Sequence, residues 1–334
     1  MIRYIISLMA AFFLTVILTP PVIAIARKLK VRQTVLSYVD NHAGKSGTPT
    51  MGGVAFTLSA FIVTLVLCRG EFTLALQLCV LTLGFGIIGF LDDFIKVRFK
   101  RNEGLTPLQK IIFQVAVAVV MAIFAYRSPY AGDTVYLPFT LRAVNLGWFA
   151  LPLYAFAFLA FTNAVNLTDG LDGLAAKSGA AYCCFFTAIL AVLVYYVGVR
   201  PDEAEEYGNL IVFSLALIGA LCGFLVYNSF PARVFMGDTG SLALGGALAG
   251  LAVTGRLVLF SPIIGIVYVV SCLSDVIQVL HYKRTKRRVF LMAPFHHHLE
   301  RKGWHENRIV TVYALTTFAA GALTLLLVLV SISS

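Results

Sequence analysis

Residues 163–173 read Asn163-Ala-Val-Asn-Leu-Thr-Asp-Gly-Leu-Asp-Gly173, and apolar runs at 147–163 and 174–197, each long enough to cross a bilayer, flank them. Asp169 and Asp172 are three residues apart, so a helical turn would put both carboxylates on one face. Gly170 and Gly173 allow backbone to come close to a ligand. Burying such a string in lipid would cost several kcal/mol, so it must meet water or line a cavity. The first expectation is a metal-phosphate site at a membrane surface. An ordinary polar loop is the plain alternative.

Working outward, the chain has 334 residues, 59% hydrophobic and only 13% charged, with a mean hydropathy of +0.88. Soluble domains carry roughly 25% charged residues, so this is an integral membrane protein. The net charge of +10 does not point to nucleic acid, because its placement follows the apolar runs. One set of loops holds every Lys; the other holds only Arg3, Arg69, Arg127, Arg142, Arg200 and Arg256. The positive-inside rule makes the Lys-bearing set cytoplasmic. Cys68, Cys79, Cys183, Cys184, Cys222 and Cys272 lie in or beside apolar runs without CxxC or Cys/His spacing, which indicates neither a disulfide framework nor a zinc site. The N-terminus has a single early Arg3 and its basic cluster follows the first apolar run. It reads as a first span with an outside N-terminus, not as a cleaved signal.

The expected fold is an all-α polytopic membrane protein, one transmembrane domain over 1–334, with ten spans near 4–26, 51–68, 73–90, 110–127, 147–163, 174–197, 209–227, 239–254, 262–280 and 309–331. An even number leaves both termini outside. Segments 27–50, 91–109, 164–173, 228–238 and 281–308 then face the cytoplasm. Outside, 133–146 alternates weakly and could form a small β-hairpin, and 201–206 is acidic. Nearly all Asp, Asn, His and Lys capable of chemistry fall on one face. A transporter more often places some at mid-membrane near broken helices. Asp275 is the exception, about eight residues or ~12 Å along a helix from the basic run at 283, and is expected to face a cleft open to the cytoplasm.

Four further stretches can carry chemistry. In Leu91-Asp-Asp-Phe-Ile-Lys96, adjacent carboxylates repel unless a cation is near, and acid at a helix C-terminus opposes the macrodipole. Binding of a phosphate through Mg²⁺, with Lys96 one turn on to balance charge, explains the pair better than a solvated helix end. In Asn228 to Ser241, Gly237 and Gly240 bracket Asp238, with Thr239 and Ser241 as candidate caps for the next helix. A helix N-terminus with glycines can cradle a phosphate, and Asp238 offers Mg²⁺ a hard oxygen ligand. In Met292-Ala-Pro-Phe-His-His-His-Leu-Glu300, consecutive histidines cannot share one face, so they suit contact with a pyrophosphate better than a three-His metal cage. The fourth, Lys45 to Gly53, is weak alone: its glycines read as helix packing, and Thr48 or Thr50 as a cap.

Together these strings resemble the bacterial phospho-MurNAc-pentapeptide transferase family, within the polyprenyl-phosphate N-acetylhexosamine-1-phosphate transferases. The matches are TPTMGG at 48–53, LDD at 91–93, NAVNLTDGLDGLA at 163–175, FMGDTGSLALGG at 235–246 and MAPFHHHLE at 292–300, in the family's order across nearly the whole chain. The last resembles the peptidoglycan branch more than the branch using UDP-GlcNAc, which stays as the alternative. A transporter or flippase, the alternative from another class, leaves five Gly/Asp/His-rich strings on one face unexplained. One departure lies in the ninth span: the family pattern has an acidic residue about where Ser271-Cys272 stands, and this chain has Asp275 a turn later.

The resemblance implies a cytoplasmic active-site cleft in the bacterial plasma membrane, Mg²⁺ dependence and a homodimer. The implied reaction joins undecaprenyl phosphate and UDP-MurNAc-pentapeptide to give lipid I and UMP, without nucleic acid. It also implies catalytic roles for Asp92, Asp93, Asp238 and His296, with Asp238 as metal ligand. Phe235 would stack on uracil while Lys45, Asp172 and Asn228 contact the nucleoside, in a wall with Asn166, Asp169, Gly170 and Leu171. Thr50, Gln278, His296 and His297 would complete the substrate site, and Lys110 would steady phosphate. Residues 166–173 thus change from metal site to nucleoside wall.

Overall fold

A computed structural model of the chain describes residues 2–28, 47–99 and 104–333. Its long helices are α1 (Ile2–Lys28), α2 (Gly53–Leu67), α3 (Thr73–Arg98), α4 (Pro107–Arg127), α5 (Ala150–Thr168), α6 (Leu174–Val192), α7 (Pro201–Asn228) and α8 (Gly237–Thr254). The short α9 (Ser261–Ile264) leads into α10 (Ile266–Thr285), and α11 (Phe295–Arg301) precedes α12 (Glu306–Ser333). Between α4 and α5, strands β1 (Thr134–Tyr136) and β2 (Ala143–Asn145) pair antiparallel with Val135 opposite Val144.

Among the described residues, eight helices are long and apolar enough to cross a membrane. Two expected spans fall outside that group for different reasons. Helix α2 has 15 residues, about 22 Å of rise against a hydrocarbon core of ~30 Å. Helix α8 has 18, but it opens on Gly-Asp-Thr-Gly and is rich in Gly and Ala throughout.

Those small residues explain where α8 sits. Every residue from Thr239 to Thr254 is buried, and α3, α5, α2 and α6 pack around it. Where lipid tails are as apolar as Leu, close backbone approach supplies much of the helix-helix attraction, and small residues permit it. At Gly89 of α3 an added Cβ would overlap the Asp238 carbonyl, and at Gly245 it would lie 2.5 Å from the Thr162 Cα of α5. The outer helices reverse the pattern. Phe13, Ile17, Phe124, Leu280, Leu315 and Phe318 are exposed, as a lipid-facing surface requires.

Polar residues collect at the two ends of the bundle. At one end Glu206 of α7 accepts from the Thr73 and Leu74 amides at 2.8 and 2.9 Å, satisfying the start of α3. Asn209 donates to the Arg69 and Glu71 carbonyls, both at 2.9 Å, and Arg256 pairs with Glu203 at 3.3 Å. The acidic run at 201–206 is therefore the first turn of α7, where acid favours the helix dipole, not a free loop. At the other end lie the C-termini of α3, α5, α7 and α10 and the N-termini of α4 and α8.

Candidate active site

The last turns of α3 carry Asp92 and Asp93, both buried despite their charge. Each spends one carboxylate oxygen on a fixed donor. Asp92 Oδ1 accepts the Leu105 amide at 2.8 Å. Asp93 Oδ2 accepts the Thr239 amide at 2.9 Å and the Thr239 hydroxyl at 2.7 Å. Asp238, one residue into α8, receives Asn166 Nδ2 on its Oδ1 at 2.7 Å, and the same nitrogen reaches Ser241 Oγ at 2.8 Å. The loop entering α8 brings this about through Gly237, whose φ is +73°. A Cβ there would stand 2.6 Å from Asp93 Oδ2 and 2.7 Å from Thr50 Oγ1. Only glycine fits the conformation and the space.

The remaining oxygens converge on one ammonium group. Lys96 Nζ lies 2.6 Å from Asp92 Oδ2, 2.8 Å from Asp238 Oδ2 and 4.0 Å from Asp93 Oδ1. Lys110 Nζ adds a second cation at 3.0 Å from Asp238 Oδ2. One ligand atom from each of the three carboxylates fits within 4.8 Å of the others. A compact all-oxygen set that already gathers positive charge suits Mg²⁺, which takes one or two carboxylates and completes its shell with water and phosphate. The residues present therefore fit the metal.

Beside this cluster is the loop between α5 and α6. Asp169 is partly buried. Lost solvation, then the nearby Asp238, Asp93 and Asp172 carboxylates, push its pKa well above the usual carboxylate range. Gly170 faces α11, where a Cβ would overlap His296 Nε2 and lie 3.1 Å from His297 Nε2. The three histidines diverge, as their spacing requires. His296 is buried against His297 and Tyr313. His297 Nδ1 meets Glu300. His298 Nδ1 accepts the Leu291 amide at 3.1 Å, and burial with Lys302 nearby lowers its pKa.

The residues expected to contact a nucleoside come from three separate stretches of chain. Thr50 and Met51 lie beside Phe235, whose amide donates to the Pro49 carbonyl at 2.8 Å and whose carbonyl accepts from Gly52 at 2.9 Å. Phe235 as a whole is half-buried, and these two hydrogen bonds pin its backbone. Asn228 is buried and donates to the Val234 carbonyl at 2.9 Å, and its Oδ1 has no hydrogen-bond partner among the described residues. Buried Asp172 accepts the Ala232 amide at 2.9 Å, and its own amide donates to Glu306 at 2.6 Å. Leu171 is buried as well.

Several of the expected site residues make contacts within the protein. Asn166 lies on α5 and donates to Asp238, while Asp169 follows the end of that helix. Lys110 also grips Asp238. Gln278 is a brace, its Oε1 taking the Val289 and Phe290 amides at 3.0 Å each and its Nε2 donating to the Phe290 carbonyl at 3.1 Å. Thr239 does not cap α8 with its side chain; it holds Asp93. Asp275 is half-exposed on α10. Lys45 lies outside the described residues. The sequence missed Leu105 and Glu306, whose contacts run through backbone amides and leave no motif.

The chain matches the family description Glycosyl transferase family 4 over residues 75–256 and Phospho-N-acetylmuramoyl-pentapeptide-transferase signature 1 over 45–56. It is 42% identical over 318 residues to the phospho-N-acetylmuramoyl-pentapeptide-transferase of Clostridium kluyveri, covering 95% of this chain and 96% of that protein. To the protein of that name from Halalkalibacterium halodurans it is 44% identical over 315 residues, 92% of each chain. To that of Clostridium novyi it is 43% identical over 315 residues, 93% of this chain and 92% of the other. With such identity along nearly its full length, and a carboxylate cluster at one end of a membrane bundle, the chain belongs to the phospho-N-acetylmuramoyl-pentapeptide-transferase family.

Proposed function

We propose that the protein transfers phospho-MurNAc-pentapeptide from UDP-MurNAc-pentapeptide to undecaprenyl phosphate, giving lipid I and UMP. The observation that carries this reading is the convergence of Asp92, Asp93 and Asp238 on one point, beside a half-buried Phe235 and a Gly170 packed against His296 and His297. Moving a phosphosugar between two phosphates demands close approach of like charges, and such chemistry is mostly positioning plus charge stabilisation. The bundle is proposed to cross the membrane ten times, counting α2 and α8, with both termini outside and the carboxylates towards the cytoplasm. The positive-inside pattern supports that orientation. A homodimer, which the family resemblance implies, belongs to the same proposal.

The site lends itself to direct attack. An oxygen of the lipid phosphate forms a bond to the β-phosphorus as the bond to the bridging oxygen breaks and UMP leaves. A phosphate monoester has its second pKa near ~6 and is mostly dianionic at neutral pH, so little base help is needed. Asp93, its Oδ2 fixed by Thr239, presents Oδ1 to take the proton of a residual monoanion. Asp238 with Asp92 would hold Mg²⁺, which when bound supplies positive charge to the attacking and leaving oxygens. Lys110 balances Asp238, Phe235 offers an aromatic face for uracil, and Asn228 Oδ1 offers an acceptor. His296 and His297 stand on the sugar-phosphate side.

The test is UMP release by pure protein in detergent from UDP-MurNAc-pentapeptide and undecaprenyl phosphate with Mg²⁺, with no ion gradient. Preference for UDP-GlcNAc would overturn the substrate. UMP exchange into UDP-MurNAc-pentapeptide without lipid phosphate would overturn direct attack in favour of an aspartyl intermediate.

A further inference from the structure

We propose that Lys96 is a built-in counter-cation that occupies the metal position in the unloaded enzyme and swings out when the divalent ion binds. The inference rests on the reading above, with Asp92 and Asp238 as the metal ligands and Asp93 beside them.

Its basis is a division of labour within each carboxylate. Asp92, Asp93 and Asp238 each tie one oxygen to a donor fixed in the fold: the Leu105 amide, Thr239 and Asn166 respectively. Each turns its other oxygen towards the Lys96 ammonium, at 2.6, 4.0 and 2.8 Å in the same order. The carboxylates cannot readily move. The Asp92 and Asp93 side chains are 3% and 5% exposed, and Gly104 packs so tightly on Asp92 that a Cβ would meet its Oδ1 at 2.6 Å. The Lys96 side chain, by contrast, is 34% exposed and hangs from a flexible four-carbon stem. A divalent ion and the Lys96 ammonium cannot both occupy the point where these oxygens meet, and at that distance they repel strongly, so loading the site displaces the mobile partner.

The device does two things. Without metal it holds three repelling carboxylates in place, so the site is pre-shaped. With metal bound, it frees a cation beside the reacting phosphates. Lys110 does not share this role, since it touches only Asp238 of the three.

The experiment is amine labelling of the full-length protein in detergent. Acetic anhydride is applied across a Mg²⁺ titration, each Lys is read by mass spectrometry, and Mg²⁺ binding is followed by calorimetry. Lys96 labelling should rise roughly fivefold or more, half-saturating where Mg²⁺ binds, while exposed Lys302 stays constant. Lys96→Met should bind Mg²⁺ roughly tenfold tighter, and its unloaded form should melt lower than wild type and recover with Mg²⁺. If Mg²⁺ binds wild type but Lys96 labelling stays flat or falls, displacement is wrong while the metal site stands. If Lys96→Met binds Mg²⁺ no tighter, competition is wrong. If wild type binds no Mg²⁺ at all, the metal reading and the inference fall together.

Discussion

Replacing Asn166 by Ala separates two roles that the chain order left merged. The Asn166 carboxamide donates to Asp238 Oδ1 at 2.7 Å and to Ser241 Oγ at 2.8 Å. A hydrogen bond to a charged group contributes about 1.5–3 kcal/mol, or roughly ten- to a hundredfold in a rate or binding constant. Without it, Asp238 can rotate about its side-chain bond, and its Oδ2 leaves the point it shares with Asp92 and Asp93. The loss should therefore fall on kcat and on the Mg²⁺ concentration needed for half-maximal rate. KM for the nucleotide sugar should stay within about twofold. The assay is UMP release over a grid of Mg²⁺ and nucleotide-sugar concentrations, with folding checked by thermal melting. Normal kcat and Mg²⁺ dependence with KM raised about tenfold would return Asn166 to the nucleoside wall and refute the geometry.

Other changes probe other parts. Asp169→Asn should stabilise the metal-free protein more at about pH 8 than at about pH 5. The folded state holds the Asp169 proton after the unfolded chain has lost it, so wild-type stability falls as pH rises from the ordinary carboxylate range up to the folded pKa; a gain in melting temperature that does not change with pH would contradict this. Glu206→Ala leaves the Thr73 and Leu74 amides without their acceptor, costing about 1–3 kcal/mol at the buried Leu74 donor. The melting temperature should drop with KM unchanged, and an unchanged melting curve would deny Glu206 its place at the start of α3. Phe235→Ala should raise KM for the nucleotide sugar more than for the lipid substrate; equal effects would remove the stacking role.

The helices were legible because lipid imposes a simple demand, some twenty apolar residues per crossing, and expected spans differ from observed helices chiefly at their polar ends. Those ends matter. Helix α3 runs on to Arg98, beyond the apolar run that ends at 90, so Asp92, Asp93 and Lys96 share a rigid turn. Helix α5 likewise runs on to Thr168, which turns Asn166 towards α8. The carboxylates were legible too, since adjacent or glycine-bracketed acids at a helix end are costly without a purpose. What sequence spacing could not show is which partner a polar side chain finds across the bundle. Gln278, Asp172 and Thr239 carry the same groups whether they meet a substrate or a neighbouring backbone amide. Their uses become visible only when α10 meets its loop, or when α3 meets α8.

Asp238, with its partners on α3, is proposed to let a lipid phosphate displace UMP from the nucleotide sugar. The most direct test measures UMP and lipid I together, for wild type and Asp238→Asn, in detergent with UDP-MurNAc-pentapeptide, undecaprenyl phosphate and Mg²⁺. Wild type should form the two products in equal amounts, and the folded variant should lose at least about a hundredfold in rate, as when charge stabilisation at a reacting centre is removed. Near-normal turnover by Asp238→Asn, or UMP released without lipid I, would contradict it.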